Sequence, residues 1–373
     1  MHGTRGPLQH AHSLTLALKN HNRSTLEGVK PWLLVALLLC SLVRAQNAGV
    51  TTLLTAPSLS LVGQDASGLY VSAIHGQRIS LARIAKSDGA SRALSPQARM
   101  ANPDFSVLWN VGQVFPLGKS LYFTDGGPRV YKLPQVGGAK PTLVFQLPGP
   151  RDNPYKITGI VSDGVDLYVF GGAYEQTRLC KSGANNVLWR VPVLGGGKPA
   201  RLARGLACPA ESAMHRFSAA VDNAHVYFLQ FKPKNFNASA LWRVPKRGGA
   251  AEPVLPGIRS AQHIALEGAF VYSLARDGDG VNLTRSRKAG GETVVLARLE
   301  NPWFADGDGI VVVDRSAALK LPALYAVNDG QVRALQAPWA FKDVGDVTVD
   351  GKTLYWLERV PGSMRYALKR AGL

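Results

Sequence analysis

Acidic residues are scarce in this chain: 25 Asp plus Glu stand against 43 Lys plus Arg in 373 residues, a formal net charge of +18. Cysteine is scarcer still, with 3 residues, which excludes a densely disulfide-bonded framework. Long apolar runs are missing: the most extended, Trp32 to Val43, has twelve residues, too few for a membrane span of roughly 20. Familiar catalytic signatures are missing as well. There is no G-x-S-x-G elbow and no H-E-x-x-H pair, and Gly112 with Gly118-Lys119-Ser120 misses the phosphate-loop spacing by one residue. Glycine and proline, by contrast, are abundant, at 39 and 23 residues. Both disfavour helix interiors, so helical bundles and coiled coils are excluded. An apolar fraction of 46% is that of a globular chain and excludes wholesale disorder.

Lys30, the apolar run and Val43-Arg44-Ala45 form the three parts of a secretory signal. Cleavage is expected after Ala45. Residues 46–373 keep 38 basic and 24 acidic side chains, a net +14, with no transmembrane segment. The stretch before Lys30 is long and His-rich for such a signal, and a translation start near Val29 would leave a compact one. Leu39 ahead of Cys40 argues against a lipid anchor, which wants a small residue there.

Internal repetition decides the fold class. A Leu/Val-Tyr pair recurs at Tyr70, Tyr122, Tyr168, Tyr227, Tyr272 and Tyr355, with Val312 replacing the tyrosine once; the spacings are 52, 46, 59, 45, 40 and 43 residues. Five residues earlier stands an acid in five of the seven copies: Asp65, Asp163, Asp222, Glu267 and Asp350. An apolar stretch, an Asp-Gly-type turn and a second apolar stretch form a β-hairpin signal. A third segment follows, as in Leu188-Trp189-Arg190-Val191-Pro192 and Leu241-Trp242-Arg243-Val244-Pro245, then a glycine pair and a fourth apolar segment such as Val294-Val295-Leu296. Each copy is therefore a four-stranded antiparallel blade that must stack on the next to cover its faces. The last copy ends at Leu373 without a fourth strand, and Val50-Thr51-Thr52-Leu53-Leu54 matches the missing strand type. The reading is all-β: a seven-bladed β-propeller closed by its N-terminal strand, a signal over 1–45 and a single propeller domain over 46–373. Six blades with an irregular region at 95–110 is the competing count.

Leu121-Tyr122-Phe123-Thr124-Asp125 is similar to the YWTD element of lipoprotein-receptor propellers. The repeated Leu-Tyr-Trp and Leu-Trp-Arg-Val-Pro elements resemble bacterial secreted propellers of the TolB-like and virginiamycin B lyase-like type. The resemblance covers nearly all of residues 50–373 and implies a fold and little about function. Virginiamycin B lyase-like propellers use a His-and-metal centre near the channel, but no acidic residue at matching positions completes one here.

In a four-strand meander the A–B and C–D turns share one end of the propeller, and the B–C loops and blade-to-blade links share the other. The first set is short and Gly-rich. The second is long and uneven, with loops expected at 95–105, 148–155, 171–186, 205–216, 232–239 and 337–344, and variable loops on a rigid scaffold are where binding resides. Cys180 and Cys208 both fall at this end, and a disulfide between them would close a loop worth roughly 3–4 kcal/mol; two unpaired thiols is the other reading. The expected ligand-binding rim, just ahead of the first strands, comprises Trp109, Tyr155, His215, Arg216, His263, Trp303 and Lys342. Aromatic and basic groups suit anionic or carbohydrate-like ligands, although Trp109 and Trp303 read equally as blade-packing residues. Asp277-Gly278-Asp279-Gly280 lacks the calcium-loop ligand order and reads as a B–C turn; Asp306-Gly307-Asp308-Gly309 reads as an A–B turn.

The functional expectation is a non-catalytic, monomeric, exported scaffold, periplasmic or extracellular, that binds an envelope protein, a glycan or another anionic ligand, without cofactor or metal. The alternative is a lyase or hydrolase using His215, His263 and Arg216. Nucleic-acid binding is disfavoured, because the basic residues form no block.

Overall fold

The computed structural model describes residues 50–75, 78–99, 114–124, 127–136, 140–149, 155–172, 186–206, 219–232, 235–259, 261–307, 309–314, 323–335 and 344–373. Residues 1–45, Cys180, Cys208, Trp109, His215, Arg216 and Lys342 lie outside them. Every regular element among the described residues is a β-strand.

The chain enters through β1 (Thr51–Pro57) and then builds blades in succession. Blade 1 holds β2 (Leu59–Gln64), β3 (Gly68–His75), β4 (Arg78–Ala85) and β5 (Ser91–Arg99). Blade 2 holds β6 (Val114–Leu117), β7 (Ser120–Thr124), β8 (Arg129–Pro134) and β9 (Thr142–Gln146). Blade 3 holds β10 (Lys156–Ser162), β11 (Asp166–Gly172), β12 (Asn186–Pro192) and β13 (Ala200–Leu206). Blade 4 holds β14 (Ala219–Val221), β15 (His225–Lys232), β16 (Asn235–Pro245) and β17 (Glu252–Arg259). Blade 5 holds β18 (Ala261–Glu267), β19 (Phe270–Asp277), β20 (Gly280–Arg287) and β21 (Thr293–Leu299). Blade 6 holds β22 (Pro302–Phe304), β24 (Ile310–Asp314), β25 (Ala323–Asn328) and β26 (Gln331–Leu335), with the two-residue β23 (Asp306–Gly307) between its first two strands. Blade 7 holds β27 (Val344–Asp350), β28 (Thr353–Arg359) and β29 (Arg365–Gly372).

β1 supplies the missing fourth strand of blade 7, pairing antiparallel with β29 from Thr51↔Arg370 to Pro57↔Arg365. The count is seven blades, and the competing count of six falls because β5 continues through 95–99. First strands touch one another around the ring: β2 meets both β6 and β27, and β14 meets both β10 and β18.

The hydrophobic interior is divided among the seams between blades. Seven buried clusters occur among the described residues, one for each adjacent pair of blades. Leu69, Val71 and Ile84 of blade 1, for instance, pack with Tyr355, Leu357 and Leu368 of blade 7. Second strands are clamped on both faces by neighbouring blades. That is why they read as unbroken apolar runs instead of alternating ones: every residue of β7, β11 and β24 is buried. Outermost strands such as β9 and β26 are mostly exposed.

Two expected loops turn out to be strand. Residues 95–99 extend β5, and the expected loop at 232–239 is a long hairpin in which β15 and β16 stay paired out to Lys232↔Asn235. The ladder pairing carries on past the blade body. Asp277↔Gly280 closes a tight B–C turn as expected. Asp306–Gly307 lies in the A–B connection of blade 6 but also pairs in parallel with Thr348 and Val349 of blade 7, tying the two blades together.

Gly164, in the A–B turn of blade 3, adopts φ +89°, and a Cβ there would meet nothing within 4 Å. Gly164→Ala should therefore destabilise by about 1 kcal/mol through backbone strain alone. A urea-denaturation midpoint unchanged from the parent would refute this.

Candidate functional site

The end of the propeller formed by the A–B and C–D turns carries a charged clasp at the 3/4, 4/5 and 7/1 seams. There the acid five residues before the tyrosine binds a lysine of the next blade. In blade 4, one oxygen of Asp222 accepts the backbone N–H groups of Ala224 and His225 at 2.9 and 2.8 Å, holding the turn. Its other oxygen takes the ammonium of Lys288, from the C–D turn of blade 5, at 3.0 Å. The same ammonium lies 5.8 Å from the centre of the Tyr227 ring. Asp163 repeats the pattern: Val165 and Asp166 donate backbone N–H groups, Tyr168 donates its hydroxyl at 2.9 Å, and Lys246 of blade 4 completes an ion pair. Asp350 takes Lys86 of blade 1 at 2.8 Å, with that ammonium 5.8 Å from the Tyr355 ring centre.

A return contact runs from the third strand. Arg243, across from Tyr227, donates to the carbonyl of Lys288 at 2.9 Å, while Arg370, across from Tyr355, donates to the carbonyls of Lys86 and Ser87. At the 4/5 and 7/1 seams each lysine thus gives its ammonium to the preceding blade and receives an arginine from it. Burial by itself would raise the Asp222 carboxyl; the N–H groups of Ala224 and His225 and then Lys288 outweigh it and hold the group down at about 2. Asp163 is likewise brought to about 2, with Lys246 the leading cause against the burial effect. Burial, and then the neighbouring carboxylate, pushes Tyr227 up to about 12. From the sequence the recurring acid reads only as a turn former. The signal for its second role is a lysine directly after the third strand in blades 1, 4 and 5, namely Lys86, Lys246 and Lys288.

The ligand-binding rim is expected at the opposite end. Of its seven residues, Tyr155, His263 and Trp303 are described. Tyr155 stands immediately before β10 and is half-buried against the 2/3 seam. Trp303, in β22, is half-buried against the 6/7 seam, so its ring packs blades while keeping an accessible edge. His263 lies in β18, half-buried, opposite Leu274 and just past a register shift that follows Ala261.

His263 and Trp303 occupy equivalent positions, four residues before Glu267 and Gly307, on first strands that touch. Four residues before Asp350, on the next first strand, stands Asp346. Its carboxylate accepts the backbone N–H of Leu61 in blade 1 at 2.9 Å. Asp346 is not among the residues singled out from the sequence, and its spacing from the repeated turn acid is the signal that would have found it. It lies in an irregular stretch, where the β27–β28 register shifts between Val344 and Val347. Three consecutive first strands therefore carry an imidazole, an indole and a carboxylate at the same spacing from the turn position, groups of the kind that hydrogen-bond to and stack against ligands. Tyr155 belongs to blade 3 and stands apart from them.

No family model matches the chain, and no curated protein matches it. Among solved structures, it is similar to a puromycin-hydrolyzing peptidase of Mycobacterium tuberculosis, with TM-score 0.58 and 15% identity over 81% of this chain and 50% of that one. An acylaminoacyl peptidase matches with TM-score 0.51 and 12% identity, over 81% of this chain and 49% of that one. A TolB of Agrobacterium tumefaciens matches with TM-score 0.40 and 17% identity, over 66% of this chain and 82% of that one. The chain spans about half the length of the two peptidases. The resemblance to secreted and receptor propellers holds at the level of the fold: the chain is a seven-bladed β-propeller.

Proposed function

We propose that the protein is a non-catalytic, exported binding scaffold of the cell envelope that engages a protein, a glycan or another anionic ligand through its loop-bearing end. The observation that carries this reading is the difference between the two ends. One is fastened by charged clasps between successive blades. The other carries His263, Trp303 and Asp346 on three successive first strands of a rigid ring, and its connections are expected to carry His215, Arg216 and Lys342. A rigid frame that holds polar and aromatic groups in place lowers the ordering cost of binding. The signal over 1–45 accounts for export, and a Cys180–Cys208 disulfide would suit that compartment.

A thermal-shift screen of the purified chain against anionic glycans and envelope proteins tests this, since a ligand of the folded form raises the midpoint by an amount that grows with the logarithm of its concentration above Kd. His263→Ala should leave the unliganded midpoint within about 1 °C and reduce the ligand-induced shift at least by half. A ligand shift untouched by that change would move the site elsewhere.

The second reading is an enzyme with a His/Arg site at the channel mouth. The peptidase likeness favours it, with the activity named there belonging to those proteins. Turnover of peptide or ester substrates by the pure chain, abolished by His263→Ala, would select this reading over the scaffold.

A further inference from the structure

The repeat supplies its own comparisons. The acid–lysine clasp joins the 3/4, 4/5 and 7/1 seams. At the 2/3 seam both of its positions are apolar: blade 2 has Leu117 where five blades place the turn acid, and blade 3 has Val193 where blades 1, 4 and 5 place the lysine. Tyr122, left without a carboxylate partner, donates instead to the carbonyl of Val193 at 3.3 Å. Both halves of the ion pair are replaced together, so neither leaves an uncompensated charge.

Around this seam the turn end becomes apolar and exposed. Val136, in the C–D turn of blade 2, is 66% exposed, and Leu194, in the C–D turn of blade 3, is 51% exposed. These are two of the most exposed large apolar side chains among the described residues. Leu194 reaches over the A–B turn of blade 2, its Cδ2 3.2 Å from where a Cβ on Gly118 would stand. The C–D turn of blade 2 is bound to that same A–B turn by the backbone N–H of Gln135 donating to the carbonyl of Lys119 at 3.1 Å. The apolar groups therefore belong to one connected sector.

The charge around it has a single sign. Lys119, Lys140 and Lys198 lie in these turns, exposed, and make no ion pair among the described residues. Neither C–D turn contains an acid, and the nearest A–B turn carboxylate, Asp163, is already held by Lys246. An exposed apolar patch rimmed by unpaired cations is complementary to an apolar side chain flanked by carboxylates.

We propose that the turn end of blades 2 and 3 is a docking surface for a segment of a partner protein that carries aliphatic or aromatic residues beside Asp or Glu. This site is separate from the loop-bearing end and does not depend on the function proposed there.

Panning a random 12-residue peptide-display library on the purified full chain tests the proposal. The expected outcome is enrichment of peptides pairing carboxylates with a large apolar residue. Their binding, read by fluorescence anisotropy, should weaken about tenfold or more with Leu194→Glu. Val136→Glu should act in the same direction, and Lys119→Glu with Lys198→Glu should weaken binding and reduce its salt dependence. Arg247→Glu, at the position equivalent to Leu194 in the clasped blade 4, should change nothing. The side chains substituted are exposed, and circular dichroism checks that each variant folds. Absence of enrichment, a consensus without carboxylates, or binding indifferent to both Leu194→Glu and Val136→Glu would overturn the proposal. So would concentration-dependent dimerisation abolished by Leu194→Glu, which would make a second copy the occupant.

Discussion

A chain starting at Ser58, stripped of the closing strand, is expected to lose cooperative unfolding and to self-associate. β1 completes blade 7 through a ladder from Thr51↔Arg370 to Pro57↔Arg365, and Arg365 also donates to the carbonyl of Thr55 at 3.2 Å. Without it the whole of β29 presents unpaired backbone groups, the template on which other chains add. The 7/1 seam would also lose Leu53, Leu54 and Ala56, which pack against its buried cluster. Leu53 further covers the C–D turn of blade 1 at Gly89. A milder version replaces Leu53 and Leu54 with Asp. Loss of two half-buried side chains and the desolvation of two carboxylates should cost about 4 kcal/mol. Chemical denaturation and analytical ultracentrifugation read both effects, and a peptide spanning Val50 to Pro57 should restore part of the stability of the truncated chain. A truncated chain that stays monomeric with an unchanged midpoint would show that the ring closes without β1.

Asp222→Ala is expected to lower the unfolding free energy by about 3 kcal/mol, a large effect for one turn residue. The change removes acceptors for two turn N–H groups and for the Lys288 ammonium in a partly buried setting, and hydrogen bonds to charged groups are worth about 1.5–3 kcal/mol each before the remaining partners find water. Asp222→Asn keeps an oxygen for the turn N–H groups and loses the charge, so it should cost about 1 kcal/mol. The two variants thus separate the turn from the clasp. The pH dependence follows from the depressed carboxyls of Asp163 and Asp222, each at about 2 against an ordinary 3.8. An unfolded chain binds these protons first, so the stabilisation is complete above about pH 4 and is lost as the pH falls through about 2. Asp222→Asn should flatten that acid limb. A variant with the same acid limb as the parent would mean that the Asp222–Lys288 pair contributes nothing to it.

Much of the architecture was legible because it is local. The spacing of Tyr70, Tyr122, Tyr168, Tyr227, Tyr272 and Tyr355 reports hairpins whose turns are set by Asp-Gly chemistry a few residues away. The N-terminal strand could be assigned to blade 7 because Val50 to Leu54 had the pattern that blade lacked. Loop lengths were less legible: the 232–239 stretch looked like a loop but runs as paired strand. Of the candidate site, His263 and Trp303 were singled out as lying just ahead of the first strands and lie within them, whereas Asp346, in an irregular stretch, was not singled out. Trp303 also shows why an aromatic near the channel is ambiguous in sequence. The same ring packs a seam and keeps an open edge, and only the neighbouring blade decides the proportion.

The sequence by itself determined seven repeats, four strands in each, the closing role of the N-terminus and the excess of glycine and proline in the turns. These depend on alternation and turn propensity within some tens of residues. Only the tertiary structure decided which charges meet. Lys288 reaches Asp222 across 66 positions, and Lys86 reaches Asp350 across 264. Those partners are chosen by the angle at which one blade stacks on the next, a quantity no local pattern encodes. The scarcity of acids acquires a structural meaning in the same way. Three turn acids are spent on the clasps, and at the 2/3 seam, which has neither partner, Lys119, Lys140 and Lys198 make no ion pair among the described residues beside the exposed Val136 and Leu194.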